Sequence, residues 1–137
     1  MQAPVLASQA RAVVSRDADR AGEFFTKALG LKPRKVRGGE GEGDFTVYRV
    51  SPDQTSIMPF TPNRETYDNP ADYDADMAHI GENTSIGFEV DDIRAVEEKL
   101  RVRGARIKEG PKKQDWGGIT VRVLDPDGNE YMLYETP

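Results

Sequence analysis

Few side chains in this 137-residue chain could do chemistry. There is no cysteine, which removes disulfides, thiolate metal sites and thiol nucleophiles together. The one histidine, His79, lies in a polar stretch and reads either as a solvated loop residue or, more sharply, as a ligand. A serine triad needs a histidine base beside its nucleophile, and a single loop histidine makes that a poor reading. Two carboxylates, Glu89 and Glu130, fall on strand-like patterns and could serve as a general base if buried. Glu89 alternates with Ser85 and Gly87 and so shares their side of a strand, unless it sits at a rim in water. Trp116 stands in a Gly-rich approach to a strand, Asp115-Trp116-Gly117-Gly118. An indole there either stacks on a flat ligand or packs at a sheet edge.

These groups need a scaffold, and the chain supplies it twice. Residues 11–16 read as a strand. Asp17-Ala18-Asp19 offers helix caps, and Ala21, Phe24, Phe25, Ala28 and Leu29 share one helical face before a C-cap at Gly30. Strands are expected over 31–36, 45–50 and 54–60, with a Gly-rich tip at 38–43 and a Ser51-Pro52-Asp53 turn between them. The second half begins with the alternating run 85–90. Asp91-Asp92 then caps a helix over 93–103 that Gly104 ends, and strands start at 105 and cover 119–124 and 130–135. The turn Asp125-Pro126-Asp127-Gly128-Asn129 separates the last two. Asp17, Arg20, Ala21, Glu23 and Gly30 recur as Asp91, Arg94, Ala95, Glu97 and Gly104 at an offset of 74. Matched element order makes this an internal repeat. The expectation is one domain over 1–137, with modules at 9–61 and 84–136. Residues 62–83 then form a linker or a lid, with Tyr67, Tyr73 and Met77 as covering residues.

Composition fits a soluble protein: 36% hydrophobic and 31% charged residues, enough for one core. A net charge of -5 argues against a general nucleic-acid or anionic-membrane binder, which needs a basic surface. Residues 32–37 and Lys112-Lys113 are local basic patches that read as solvated loops. No basic start precedes a long apolar run, and no apolar stretch approaches the ~20 residues that span a bilayer. A cytoplasmic location is the default expectation.

Asp17, Phe24-Phe25, Ala28-Leu29-Gly30-Leu31, Val90-Asp91-Asp92 and the turn 125–129, in this order, resemble the vicinal-oxygen-chelate superfamily, which includes glyoxalases, bleomycin-resistance proteins and extradiol dioxygenases. The resemblance implies an α+β fold in which two βαβββ modules form a curled mixed sheet, a cup with its helices outside. It also implies a ligand in the cup and a homodimer; whether modules pair within or across chains is open. Metal-dependent members place His, Gln or Glu at four inward points. Here the corresponding positions hold Ala10 (with Gln9 beside it), Met58 (or Ile57), Ser85 (or Thr84) and Met132. Only Gln9 is a ligand type the family uses, and one neutral ligand does not hold a divalent ion. No cofactor is expected.

The resemblance thus implies a small, mostly apolar cup floor of Ala10, Ala12, Val14, Ser85 and Gly87. Met58 and Met132 provide adaptable thioethers, or else simply fill the core. Tyr48, Phe60, Trp116 and Tyr134 are candidate walls, and Arg122 faces either the cup or solvent. The expected function is metal-independent sequestration of a hydrophobic or aromatic small molecule such as an antibiotic, with Glu89 among the ligand-binding residues. The alternative is a glyoxalase- or dioxygenase-like enzyme acting on a small carbonyl or aromatic substrate. A third reading is a protein-interaction domain with a collapsed cup.

Overall fold

Aspartates start both main helices. The Asp17 carboxylate accepts from the backbone N–H of Asp19 at 3.0 Å and of Arg20 at 3.3 Å, and α1 runs Ala18–Glu23. The Asp92 carboxylate accepts from Ala95 N–H at 3.2 Å, opening the helix Ile93–Val102. Each cap satisfies N–H groups that have no partner within the helix. Gly30 and Gly104 close the two runs with φ of 73° and 82°, a backbone that favours glycine. The computed structural model describes residues 10–37, 45–49 and 56–137. Gln9, the 38–43 tip and the Ser51-Pro52-Asp53 turn lie outside the described residues.

The chain divides into two compact units, Met1–Met77 and Ala78–Pro137. In the first, β1 (Ala10–Val14), α1, β2 (Lys32–Val36), β3 (Phe45–Arg49) and β4 (Ser56–Phe60) make a four-stranded sheet of order β1-β4-β3-β2. In the second, β5 (Asn83–Glu89), α3 (Ile93–Val102), β6 (Arg106–Lys113), β7 (Ile119–Leu124) and β8 (Glu130–Glu135) give the order β5-β8-β7-β6. In both, the first and last strands pair parallel and the other pairs are antiparallel. The fold is α+β, two βαβββ modules, as the repeat implied.

One face of each sheet carries its helix. In the first unit Phe25 and Ala21 are fully buried, and Ile57 nearly so. In the second, Ile93 and Leu100 of α3 are buried, as are Val121, Val123, Tyr131 and Leu133 of the sheet. Each buried valine, leucine, isoleucine or phenylalanine among them contributes about 1.5–3 kcal/mol of transfer free energy.

The repeat offset needs correcting before the helices. The caps Asp17 and Asp92 stand 75 residues apart, as do the matching helical donors Ala21 and Val96, whereas Gly30 and Gly104 stand 74 apart. The extra residue is absorbed by a π-helical turn over Phe24–Ala28, where Leu29 N–H donates to Phe24 C=O at 3.2 Å, five residues back. The identities at 74 within α1 and α3 are therefore one position out of structural register.

The middle segment carries two short helical elements. A single 3-10 turn, Arg64–Thr66, precedes α2 (Pro70–Met77). Asn69 caps α2 through Ala71 N–H at 2.9 Å, and Pro70 takes the first helical position. Tyr67 donates to Asp76 at 2.6 Å, which with local charge pushes the phenol up to about 12, and its ring meets Tyr73 edge-on. Residues just after α2 join the second unit: Gly81 N–H donates to the Asn129 side chain at 2.7 Å, and Glu130 N–H donates to Glu82 C=O. Among the described residues no helix is long and apolar enough to cross a membrane.

Candidate functional site

Directly paired residues on neighbouring strands point to the same face, so register assigns the face away from each helix. In the first unit, Ala12 pairs with Met58 and Val14 with Phe60. Tyr48 pairs with Ile57, so the next pair along is Val47 with Met58, and Val47 in turn pairs with Arg34. One row therefore reads Ala12, Met58, Val47, Arg34, and its face is largely apolar. In the second unit, Gly87 pairs with Met132, Met132 with Arg122, and Arg122 with Glu109. The next row reads Glu89, Tyr134, Thr120, Lys112.

Both methionines thus occupy the same place in their modules, next to a small residue on the parallel partner strand. Met58, Phe60, Met132 and Tyr134 are each partly buried on this second face. The Tyr134 ring lies over Gly87, where a Cβ would come within 3.4 Å of it. Arg122, left open by the sequence, shares the face of Met132.

Tyr48 goes elsewhere. It is buried on the helix side, 5.3 Å from the Phe25 ring centre, and its hydroxyl occupies the space of a Cβ on Gly22. Burial, aided by the Asp19 charge, raises its phenol pKa. The sequence expected a wall at Tyr48. Instead it is a core residue, because β3 buries both Val47 and Tyr48, one on each face.

Ser85 sits in a bulge. Pairing of β5 with β8 jumps between Asn83 and Gly87, and Ser85 has φ of 60°. Thr84 Oγ1 donates to Glu130 C=O at 2.7 Å and accepts from Ile86 N–H, while Ser85 N–H donates to the Asn83 side chain. Trp116 lies in the β6–β7 hairpin, where Gln114 N–H donates to Gly118 C=O and Gly117 N–H to Gln114 C=O. Its indole folds back over Gly118, where any side chain would collide with it, and half of it stays exposed.

The two candidate bases meet different fates. Glu89 is exposed and accepts from the Thr136 hydroxyl at 3.4 Å. Glu130 is buried, but Lys108 Nζ and Arg122 Nη1 each donate to it at 2.5 Å. The Lys108 hydrogen bond, with help from Arg122, holds its carboxyl below the usual range against the opposing effect of burial. A carboxylate so held is a counter-ion rather than a proton acceptor. Lys108 escaped sequence reading because β6 carries an irregularity at that point, which a simple alternation does not reveal.

Below this face the turn 125–129 is a closed polar network. Asp125 Oδ1 accepts from Asp127 N–H at 2.9 Å and Asn129 N–H at 3.0 Å, and Oδ2 accepts from Tyr131 Oη at 2.8 Å. Burial raises the Asp125 pKa despite these donors, and burial and the Asp125 charge push the Tyr131 phenol far up. The network fixes the start of β8 and hence the placement of Glu130 and Met132.

Of the expected metal positions, those among the described residues carry few donors that suit a divalent ion. Met58 and Met132 offer neutral thioethers, and the Thr84 hydroxyl is engaged with backbone. Among the described residues no three His, Asp or Glu side chains gather as a metal site requires. His79 is exposed, with Nδ1 3.0 Å from Glu82.

The sequence model of the glyoxalase/bleomycin resistance protein/dioxygenase superfamily matches residues 8–133. The chain belongs to this superfamily. Among solved structures, a superfamily member from Sphaerobacter thermophilus is 22% identical with a TM-score of 0.74, covering 93% of this chain and 95% of its own. TnmS3, an antibiotic binding protein from a Streptomyces species, is 21% identical with a TM-score of 0.71, covering 95% of each chain. A glyoxalase I from Zea mays is 19% identical with a TM-score of 0.68, covering 91% of this chain but 43% of its own. At these identities the likeness to each solved structure is one of fold. No curated protein matches.

Proposed function

We propose that this superfamily member binds a hydrophobic or aromatic small molecule, an antibiotic being the leading class, without a metal ion. The observation that carries the reading is the pair of matched rows: Ala12 beside Met58 and Gly87 beside Met132, each on a sheet face that its own helix does not cover. A small residue leaves room, and a thioether adapts to a flat surface. Phe60 and Tyr134 flank these pairs on the same faces, and Trp116, Ser85, Glu89 and Arg122 complete the proposed ligand-binding set. TnmS3, described as an antibiotic binding protein, supports the ligand class. The engagement of Glu130 by two cations counts against a general-base enzyme. A homodimer is part of the same proposal, and mass in solution checks it.

Trp116 is the only tryptophan, so its fluorescence reports on the hairpin alone. Titration with a panel of aromatic antibiotics should quench or shift it and raise the melting temperature, since a ligand of the folded state stabilises by mass action. No response in either measurement across the panel would sink the binding reading. Elemental analysis of the purified protein tests the metal-free part, and stoichiometric Zn, Fe, Mn or Ni would overturn it.

A further inference from the structure

Residues 32–37 form no solvated loop; most of them make the edge strand β2. Register then sorts their charges. Lys32 pairs with Arg49 and Arg34 with Val47, so Lys32, Arg34 and Arg49 share the face of Ala12, Met58 and Phe60. Arg34 ends the row that begins at Ala12 and Met58. Two strand spacings, roughly 10 Å, separate Arg34 from Met58, and an arginine side chain spans most of that distance. Lys32 and Arg34 are exposed, and neither pairs with a carboxylate among the described residues. No described acidic residue lies on β1 to β4. In a chain of net charge -5, this face sets Lys32 and Arg34 beside an apolar bed.

The second module handles its cations differently. Arg122 and Lys108 share Glu130, and Glu109 lies 3.9 Å from Arg122, so charge there is balanced within the protein. In the first module Lys32 and Arg34 have no such partner among the described residues. The geometry points to an anionic aromatic ligand: a flat apolar body on Met58, Phe60 and Ala12, with a carboxylate, sulfonate or phenolate captured by Arg34 and Lys32. This inference rests on the binding reading above and adds the ligand's charge. A guanidinium suits the role because its planar fork matches a two-oxygen anion.

The test uses two dyes that share one ring system, anilinonaphthalene sulfonate and its uncharged parent N-phenyl-naphthylamine, each titrated into the native protein by fluorescence. The sulfonate should bind about tenfold more tightly at low salt, as expected of one partly screened charge contact. In Lys32→Glu/Arg34→Glu the preference should vanish or reverse, with the parent dye unaffected and the melting temperature unchanged. Arg34→Lys, which keeps the charge, should retain part of the preference. Raised salt should shrink the preference in the native protein. Equal affinities for the two dyes, or a preference that survives the double reversal, would overturn the inference and leave these cations as guards of the sheet edge. If the native protein binds neither dye, the binding reading falls and this inference falls with it.

Discussion

The middle rows of the two sheets are built on one plan and end in opposite chemistry. Module one reads Ala12, Met58, Val47, Arg34; module two reads Gly87, Met132, Arg122, Glu109. The first two positions agree because the parallel strand pair is the common element of the repeat. The third decides the character of the face. Val47 is buried and apolar, and Arg34 at the edge pairs with no carboxylate among the described residues. Arg122 brings a charge to the middle of its sheet, and that charge is met by Glu130, with Lys108 holding the second carboxylate oxygen. The two modules thus share a small residue beside a methionine on the parallel strand pair and differ on the neighbouring strand, where module two pairs its charge internally.

The largest effect should come from the turn that anchors the second row. Asp125→Ala removes the acceptor of the buried Asn129 N–H, the partly buried Asp127 N–H and the buried Tyr131 hydroxyl. The expected loss is about 3 kcal/mol or more in urea unfolding. Asp125→Asn keeps an acceptor for the backbone and should cost only ~1 kcal/mol. Equal losses from the two would mean that the charge, and not the hydrogen-bond geometry, anchors β8.

Making module two resemble module one is the next test. Arg122→Val puts a valine beside Met132, as Val47 stands beside Met58, and deprives a carboxylate that is 6% exposed of one of its two cations. A loss of about 1–2 kcal/mol is expected, less than for a fully buried pair because Arg122 is 33% exposed and Lys108 remains. Adding Glu130→Gln should recover most of it. If the double variant is no better than the single, Arg122 contributes through packing of its stem.

Acid resolves the same pair. The Glu130 pKa is lower folded than unfolded, so its stabilisation is complete above the ordinary value of 4.5 and is lost as pH falls through the folded value. Asp125 works in reverse: its raised pKa means that its contribution declines as pH rises above the ordinary 3.8. Glu130→Gln should therefore flatten the loss of stability on acidification below pH 4.5, by up to one proton's worth of slope. An unchanged slope would show that Glu130 does not respond to its two cations.

How much of this was legible in the sequence follows from which interactions are local. The strands 119–124 and 130–135 were readable to the residue because alternation and the Asp-Pro-Asp-Gly-Asn turn are local signals. The helix α2 was missed because it buries no side chain, although Asn69-Pro70 is a cap signal that could have shown it. The π turn was invisible: its cause is a one-residue surplus that only the second module's cap reveals. Tyr48 was misplaced because β3 is buried on both faces, so alternation does not say which residue meets the helix. Arg122 could be oriented only once its pairing with Met132 was known, a contact set by tertiary register and not by neighbours in sequence.

The smallest perturbations bear most directly on whether the two beds do the same work. Ala12→Leu and Gly87→Leu each place a branched side chain beside the matched methionine. Neither should cost more than about 1 kcal/mol of stability, since both positions are exposed in the folded chain. At Gly87 the new side chain starts 3.4 Å from the Tyr134 ring, so it must displace that ring or lie across the bed. At Ala12 it grows over Met58 from the parallel strand. If both rows touch the ligand, each substitution should weaken dye binding several-fold, with the Gly87 variant also losing the contribution of Tyr134. If Ala12→Leu abolishes binding and Gly87→Leu leaves it intact, module one alone holds the ligand. The charge pairing of Arg122 with Glu130 would then mark a second face whose role is structural.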